Sequence, residues 1–145
     1  METKPLILEY TYAAPPTQVW QALTDPAHMK AWYFDIPGFK PEPGFRFSFS
    51  AGSPEQQYVH QCRITEALAP ETLAYTWAYE GYKGSSEVCF TLYPEDGQTR
   101  LVLEHEGLDS FPQEPAFARD SFLQGWTMIL GTNLKQYLEQ RKGSS

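Results

Sequence analysis

The chain has 145 residues, 41% of them apolar, which is an ordinary size and composition for one domain, so we expect a single domain over residues 1–145. The formal net charge is −7 and the eleven Lys and Arg residues are scattered, which argues against nucleic-acid binding and against docking on anionic membranes. No apolar run approaches the roughly 20 residues of a membrane-spanning helix, and the N-terminus does not resemble a signal peptide, so we expect a cytoplasmic protein.

A strand and two short helices are predicted at the start of the chain. Residues 6–12 alternate between two sets of side chains, as a half-buried strand does. Residues 17–23 then carry apolar side chains at helical spacing after a pair of prolines. Asp25 is a suitable N-cap for a second helix with Pro26 in its first turn, and this helix is expected to fade near Tyr33.

Five further strands are predicted, because period-two patterns recur between turn residues. They cover residues 45–49, 58–65, 73–79, 87–93 and 99–105. Asp96 and Gly97 give a strong hairpin signal between the last two strands. Strands joined by short turns pair antiparallel, and half-polar alternation predicts a sheet with one wet face and one covered face.

A long C-terminal helix is predicted to cover this sheet. From about Pro115 onward, apolar residues recur at spacings of three and four. Ser121 and Gln124 suit a capping box, at which the helix is expected to begin or break, and Gly131 in mid-helix is typical of close packing. The whole pattern predicts an α+β domain, in which one curved antiparallel sheet of about six strands, with two short helices after the first strand, packs with the C-terminal helix around an apolar pocket.

The two cysteines are expected to be reduced thiols. Strand parity puts Cys62 and Cys89 on opposite faces of the sheet, which disfavours a disulfide between them. Three histidines and two cysteines are also too few and too dispersed for a metal site, so no metal and no cofactor is expected.

Aromatic residues make up 15% of the chain, and many of them fall on the covered face. Several tyrosines on one wall suit a ligand cavity with a few polar anchors, although the same rings are also compatible with a simple core. The residues predicted to contact a ligand are Trp32, Phe47, Tyr58, His60, Tyr75, Trp77, Tyr79, Phe90, His105, Phe122 and Trp126.

His60 and His105 are the candidates for acid–base chemistry, because each lies in a strand at the parity of the apolar face. A neutral imidazole in an aromatic pocket can act as a general base or orient a polar ligand group, with a tyrosine hydroxyl as donor. The alternative is that both histidines are structural. His28 lies in a helical surface segment, and no role is expected for it.

Short motifs in chain order carry a resemblance to a known superfamily. They are Ala14-Pro-Pro-Thr-Gln-Val-Trp-Gln-Ala-Leu-Thr-Asp-Pro26 with Trp32, Ile64-Thr-Glu-Ala67, Leu73-Ala-Tyr-Thr-Trp77, Thr99-Arg-Leu-Val-Leu-Glu-His-Glu-Gly107, and Gly125-Trp126 with Leu130, Leu134 and Tyr137-Leu138. Together they resemble the START-like (SRPBCC) superfamily, and within it single-domain bacterial proteins similar to the C-terminal domain of the activator of heat-shock-protein-90 ATPase. The resemblance implies the helix-grip fold, as in the major birch pollen allergen. Members of the superfamily include lipid carriers, polyketide cyclases, hormone receptors and co-chaperone domains, so the fold does not fix a reaction.

Three functions therefore stay open at this point. The first is binding of a small apolar or amphipathic molecule between the sheet and the C-terminal helix. The second is a chaperone-associated role in the stress response, with a chaperone as partner. The third is a cyclase- or hydrolase-like enzyme that uses a pocket histidine and tyrosine. An enzyme is the less favoured interpretation, and the chain is expected to be a monomer or a weak homodimer.

Overall fold

The computed structural model describes residues 5–33, 36, 38–53, 56–112 and 119–143. Its strands are β1 (Leu6–Tyr12), β2 (Arg46–Ser53), β3 (Gln56–Leu68), β4 (Thr72–Tyr79), β5 (Ser86–Glu95) and β6 (Gln98–Glu106). Its helices are α1 (Pro16–Thr24), α2 (Pro26–Trp32), α3 (Arg119–Met128) and α4 (Lys135–Gly143), with a 3-10 turn at Leu108–Ser110 and a π-helical segment, Ile129–Leu134, between α3 and α4. The strands form one antiparallel sheet in the order β1-β6-β5-β4-β3-β2.

The predicted opening of the chain is confirmed. Along β1, Leu6 and Tyr12 are buried at its two ends, while the side chains between them alternate in exposure. Each of the two short helices begins at a proline, which supplies a helical φ and needs no hydrogen-bond acceptor in the first turn. Asp25 caps α2, because its carboxylate accepts a hydrogen bond of 2.9 Å from the Ala27 N–H.

The hairpin between β5 and β6 has the predicted turn. Asp96 and Gly97 both have positive φ, 52° and 81°, between the paired residues Glu95 and Gln98. Two consecutive residues in the left-handed region match the right-handed twist of the flanking strands, and a non-glycine residue that tolerates this region is typically Asp or Asn. This turn fixes the register that brings His105 opposite Val88.

The C-terminal helix, here α3, the π segment and α4 together, covers the sheet as predicted. The Trp126 ring lies 5.5 Å from the Trp77 ring and 5.8 Å from the Phe90 ring, measured between centroids. The expected break at Ser121 is wrong, because the helix is already formed at Arg119 and continues through Ser121. The predicted start near Pro115 lies outside the described residues.

The π segment is the irregularity that periodicity did not predict, and β1 explains it. The buried hydroxyl of Tyr12 donates a hydrogen bond of 2.8 Å to the carbonyl oxygen of Leu130, so this carbonyl has a partner outside the helix. A Cβ atom on Gly131 would lie 3.1 Å from Cε1 of Tyr10, so glycine allows the close approach of this ring. The prediction of close packing at Gly131 is thus confirmed.

The two faces of the sheet differ as predicted. Cys62 is a buried free thiol beside the interior, and Cys89 is a half-buried free thiol on the outer face. The architecture is therefore the α+β helix-grip arrangement, with the aromatic face of the sheet against the C-terminal helix.

In the described part of the chain, no helix combines the length and the apolar character needed to cross a membrane.

Candidate functional site

The residues predicted to contact a ligand come together in one aromatic interior. All of them except Tyr58 are buried, and Tyr58 is half-buried at one end of the interior. Their rings also contact one another. His60 stacks on Phe49 at 4.6 Å and meets the Trp77 ring at 5.0 Å, and Trp77 in turn meets Trp126. The strand and helix parities therefore identified a real cluster, and much of it is packed core.

His105 lies at the centre of a hydrogen-bond chain that fixes its tautomer. The indole N–H of Trp126 can only donate, and it donates to Nδ1 of His105 at 3.1 Å. The ring proton of neutral His105 is therefore on Nε2, which donates to the Ser86 hydroxyl at 2.6 Å. Ser86 Oγ lies 3.4 Å from the carbonyl oxygen of Trp77, to which it donates.

These hydrogen bonds favour a structural role for His105 over a role as general base. Its side chain is fully buried, and burial lowers the pKa of His105 to about 3, so the ring is neutral at pH 7. The Nδ1 lone pair, which a base would use, already accepts the Trp126 N–H. The Trp126 ring would have to leave before His105 could take a proton from a ligand.

His60 is also neutral, but its environment differs. Its Nδ1 lies 3.0 Å from the Tyr58 carbonyl oxygen, so Nδ1 carries the ring proton and Nε2 is the acceptor. Burial lowers the pKa of His60 to about 4, and backbone hydrogen bonds at Tyr58 and Phe49 oppose this shift in part. The His60 ring is held by contacts with the Phe49 and Trp77 rings, not by a hydrogen bond to a carboxylate of the described residues.

The buried phenols supply polar anchors inside the apolar interior. The Trp77 indole N–H donates to the Tyr79 oxygen at 2.9 Å, and the hydroxyls of Tyr33 and Tyr75 are 3.0 Å apart. Burial raises the pKa of Tyr79 to about 12 and raises the pKa values of Tyr33 and Tyr75 well above the usual value. These phenols therefore stay protonated and can donate hydrogen bonds.

A cleft of about 350 Å³ opens where the end of α2 meets the C-terminal helix. Its lining residues are Ala31, Trp32, Tyr33, Asn133, Gln136 and Tyr137. The rings of Trp32 and Tyr33 are stacked at 5.1 Å, and Asn133 and Gln136 are exposed. The cleft thus combines aromatic surface with side-chain amides.

Tyr33 forms the wall between this cleft and the aromatic interior. Its ring lies 5.9 Å from the Phe49 ring and 6.4 Å from the Trp126 ring, while its hydroxyl meets Tyr75. Tyr33 thus lines the cleft on one side and contacts the sheet and the C-terminal helix on the other.

The C-terminal helix supplies the remaining lining residues of the cleft. Asn133 lies inside the π segment, whose wider turn displaces the following residues relative to a regular helix. His28 Nδ1 and the Tyr137 hydroxyl form a hydrogen bond that links α2 to α4. His28, for which the sequence suggested no role, is therefore a structural link beside the cleft.

The sequence prediction of the site found the interior and missed most of the cleft. Of the predicted ligand residues, Trp32 lines this cleft. In the sequence, Tyr33 marks only the end of a predicted helix, and its position next to Trp32 is the available signal. Asn133 falls at the helical spacing of the apolar residues Trp126, Ile129 and Tyr137, and a polar residue in that series is a signal. For Gln136 we find no sequence signal, because polar residues on a helix are ordinarily solvated.

In the described residues, no group of three or more His, Cys, Asp or Glu side chains converges in a way that could hold a metal ion. The side chains described above offer aromatic surface and neutral hydrogen-bonding groups.

Comparison with known proteins connects this geometry to a family. The sequence model of the family described as "Activator of Hsp90 ATPase homolog 1-like protein" matches residues 13–139. No match was found among curated proteins.

Solved structures of similar proteins cover nearly the whole chain. Protein MLL2253 from Mesorhizobium loti is 29% identical with a TM-score of 0.76, and the match covers 94% of this chain and 98% of that one. CalU16 from Micromonospora echinospora is 27% identical with a TM-score of 0.71, covering 92% of this chain and 73% of that one. Protein CV1439 from Chromobacterium violaceum is 22% identical with a TM-score of 0.78, covering 94% and 97%, which is a likeness of fold alone.

Proposed function

We propose that this chain, which belongs to the Activator of Hsp90 ATPase homolog 1-like family, binds a small amphipathic molecule. The molecule would lie in the cleft between the end of α2 and the C-terminal helix, at the margin of the interior that this helix forms with the sheet. The observation that carries the proposal is the cleft of about 350 Å³ whose inner wall is Tyr33. Small-molecule sites have volumes of about 300–1,000 Å³, and this cleft falls in that range. Its lining is more polar than apolar, which suits a ligand that has a polar end beside an apolar one.

The two sides of the cleft suit the two ends of such a ligand. The stacked rings of Trp32 and Tyr33 offer flat surface to an apolar or aromatic part. The amides of Asn133 and Gln136 can donate to and accept from a hydroxyl or carbonyl at the other end. Rotation of Tyr33 would extend the site toward Phe49 and Trp126, and the ligand would then compete with their ring contacts.

The test combines native mass spectrometry of the purified protein with a thermal-shift screen of fatty acids, sterols and aromatic polyketides. A ligand that prefers the folded state raises the unfolding temperature with concentration, by mass action. We expect a co-purifying mass or such a shift in the wild type.

Two matched variants locate the binding site. Gln136→Ala removes an amide that lines the cleft, and Gln124→Ala removes an exposed amide from the same helix elsewhere. We expect a weaker shift in Gln136→Ala and an unchanged shift in Gln124→Ala. No bound mass and no shift across the screen, or equal losses in both variants, would contradict binding in this cleft.

A chaperone-associated role is the second candidate, and the family description supports it because it names an activator of Hsp90 ATPase. The test is the ATPase rate of a purified chaperone of this class with saturating amounts of the protein. Stimulation that survives the Gln136→Ala change would favour a partner surface outside the cleft, and no stimulation would dismiss this role.

An enzyme that uses His105 as its base is disfavoured by the hydrogen bond from Trp126. For His60, the test is a His60→Asn variant in any reaction found with a screened ligand, and unchanged turnover would exclude a catalytic role.

A further inference from the structure

The outer face of the sheet, opposite the aromatic interior, carries an arginine pair. Arg46 on β2 and Arg63 on β3 are direct partners in the strand register, and both side chains are exposed. Like charges directly opposite each other on neighbouring strands destabilise a sheet. The pair is therefore an arrangement that folding alone does not favour.

In the described residues, no direct ion pair neutralises this pair, although the chain has a net charge of −7. Arg100, on the same face, is paired with Glu9 at 3.5 Å and with Glu95 at 3.0 Å. Within the described part of the chain, by contrast, no carboxylate forms an ion pair with Arg46 or Arg63. Both guanidinium groups are thus available to an anion from outside.

The pair borders a recess of about 360 Å³ in the outer face. Its lining residues are Arg46, Gln61, Cys62, Arg63, Thr76, Ala78 and Ser85. A second recess, of about 340 Å³, shares Arg46, Gln61 and Cys62 and continues along β2 and β3. Beside the two cations, the recess offers the Gln61 amide and the Ser85 hydroxyl as neutral donors, whereas the Thr76 hydroxyl donates to the Arg63 carbonyl at 3.5 Å.

The backbone that carries these donors is held in place. The Arg63 N–H donates to the Thr76 hydroxyl at 3.0 Å, next to a register shift between Ile64 and Glu66. Irregularities of this kind re-aim the side chains beside them, and they recur next to binding sites.

The loop at the other side of the recess is fixed as well. The Ser85 N–H donates to the Ser110 hydroxyl at 2.9 Å, and that hydroxyl donates to the Ser85 carbonyl at 2.7 Å. A ligand in the recess would therefore meet donors on walls that are already ordered, which lowers the entropic cost of binding.

We propose that this recess binds the phosphate group of a small anionic ligand. Guanidinium groups present planar forks that match phosphate oxygens, and one dianionic phosphate can engage both arginines and relieve their repulsion. A single carboxylate has two oxygens and one charge, so it would satisfy one fork and leave the other. The site lies on the far side of the sheet from the cleft, so it does not depend on the proposed function.

The test is titration of the full chain with inorganic phosphate and with pyrophosphate, followed by calorimetry and by NMR of the arginine Nε–H signals. We expect saturable binding of pyrophosphate in the wild type, with shifts at Arg46 and Arg63. Arg46→Gln and Arg63→Gln should each weaken binding about tenfold, since the loss of one charge-assisted bidentate contact is worth on the order of 1.4 kcal/mol. Without anion, neither variant should unfold more easily than the wild type, because each change removes a like-charge contact.

The matched control is Arg100→Gln, which removes the same charge from the same face outside the recess. We expect it to leave pyrophosphate affinity nearly unchanged. Absence of saturable binding in the wild type would overturn the proposal, and so would an equal loss in Arg100→Gln, which would indicate only the general charge of the face. Reduced stability of the folded Arg46→Gln and Arg63→Gln variants would overturn the argument that the pair is strained without a ligand.

Discussion

His105 illustrates how one buried residue is determined by its partners more than by its type. In the sequence, a histidine at the parity of an apolar face is compatible with a base, a ligand anchor or a core residue. The Trp126 N–H decides among them, because it occupies the nitrogen that a base would use. The partner lies 21 residues away on another element, so the sequence could raise the question about His105 but not answer it.

This network predicts a specific stability effect. His105→Phe keeps an aromatic ring in place but leaves the Trp126 N–H buried without an acceptor, which costs about 1–3 kcal/mol. In a Trp126→Phe background no indole N–H is left without an acceptor. His105→Phe should therefore lower the free energy of unfolding by less in that background. Urea unfolding of the four proteins in this double-mutant cycle measures the difference. Equal costs in both backgrounds would mean that packing, not the hydrogen bond, makes His105 necessary.

At the level of elements, the strands were predictable and the π segment was not. The alternating phenylalanines of β2 and the Asp96-Gly97 turn are local patterns, and local patterns fix strands and hairpins. The π segment depends instead on Tyr10 and Tyr12, more than a hundred residues earlier in the chain. The cleft is hard to predict from sequence for the same reason, since Asn133 lies in the π segment and Tyr33 at the end of α2.

Two glycines of the C-terminal helix allow a matched test of this interpretation. Alanine is favoured over glycine in a helix by up to about 1 kcal/mol. A Cβ atom on Gly125 would meet nothing within 4 Å, whereas on Gly131 it would lie 3.1 Å from a carbon of the Tyr10 ring. Tyr10 is itself stacked on Tyr12, whose hydroxyl is bonded to Leu130, so the ring has little room to move.

We therefore expect Gly125→Ala to stabilise the protein by up to about 1 kcal/mol and Gly131→Ala to gain less or to destabilise it. Chemical denaturation of the two single variants gives the comparison directly. Equal stabilisation would show that the Tyr10 ring moves away from the new methyl group and does not constrain the π segment.

At the level of the whole molecule, the fold follows from the requirement that one aromatic sheet face be covered. The alternation of Tyr75, Trp77 and Tyr79 and the helical spacing of Phe122 and Trp126 were sufficient to predict which surfaces meet. They were not sufficient to predict how completely the rings fill the interior, because that depends on rotamers and on contacts among at least four elements. Hence the predicted ligand residues are mostly buried against one another, and the cleft lies at their margin.

The buried histidines should make the stability of the whole domain fall below about pH 6.5. Burial lowers the pKa of His60 to about 4 and that of His105 to about 3, from the ordinary value of 6.5. In the unfolded chain both rings take up protons once the pH falls below 6.5, whereas in the folded protein they stay neutral. The unfolded state then binds more protons, so the stability that is fully present above pH 6.5 is lost progressively down to the folded pKa values.

Each histidine should contribute a slope that approaches about 1.4 kcal/mol per pH unit. We expect the free energy of unfolding, measured by urea titration between about pH 5 and pH 6.5, where most carboxylates stay ionised, to decrease with falling pH. His105→Phe should lower this slope by one histidine's share, while Val19→Ala, a core change without a titratable group, should lower the stability and leave the slope intact. An unchanged slope in His105→Phe would mean that His105 takes up its proton in the folded state. The hydrogen bond from Trp126 to His105 would then break near neutral pH, and His105 would again be a candidate base.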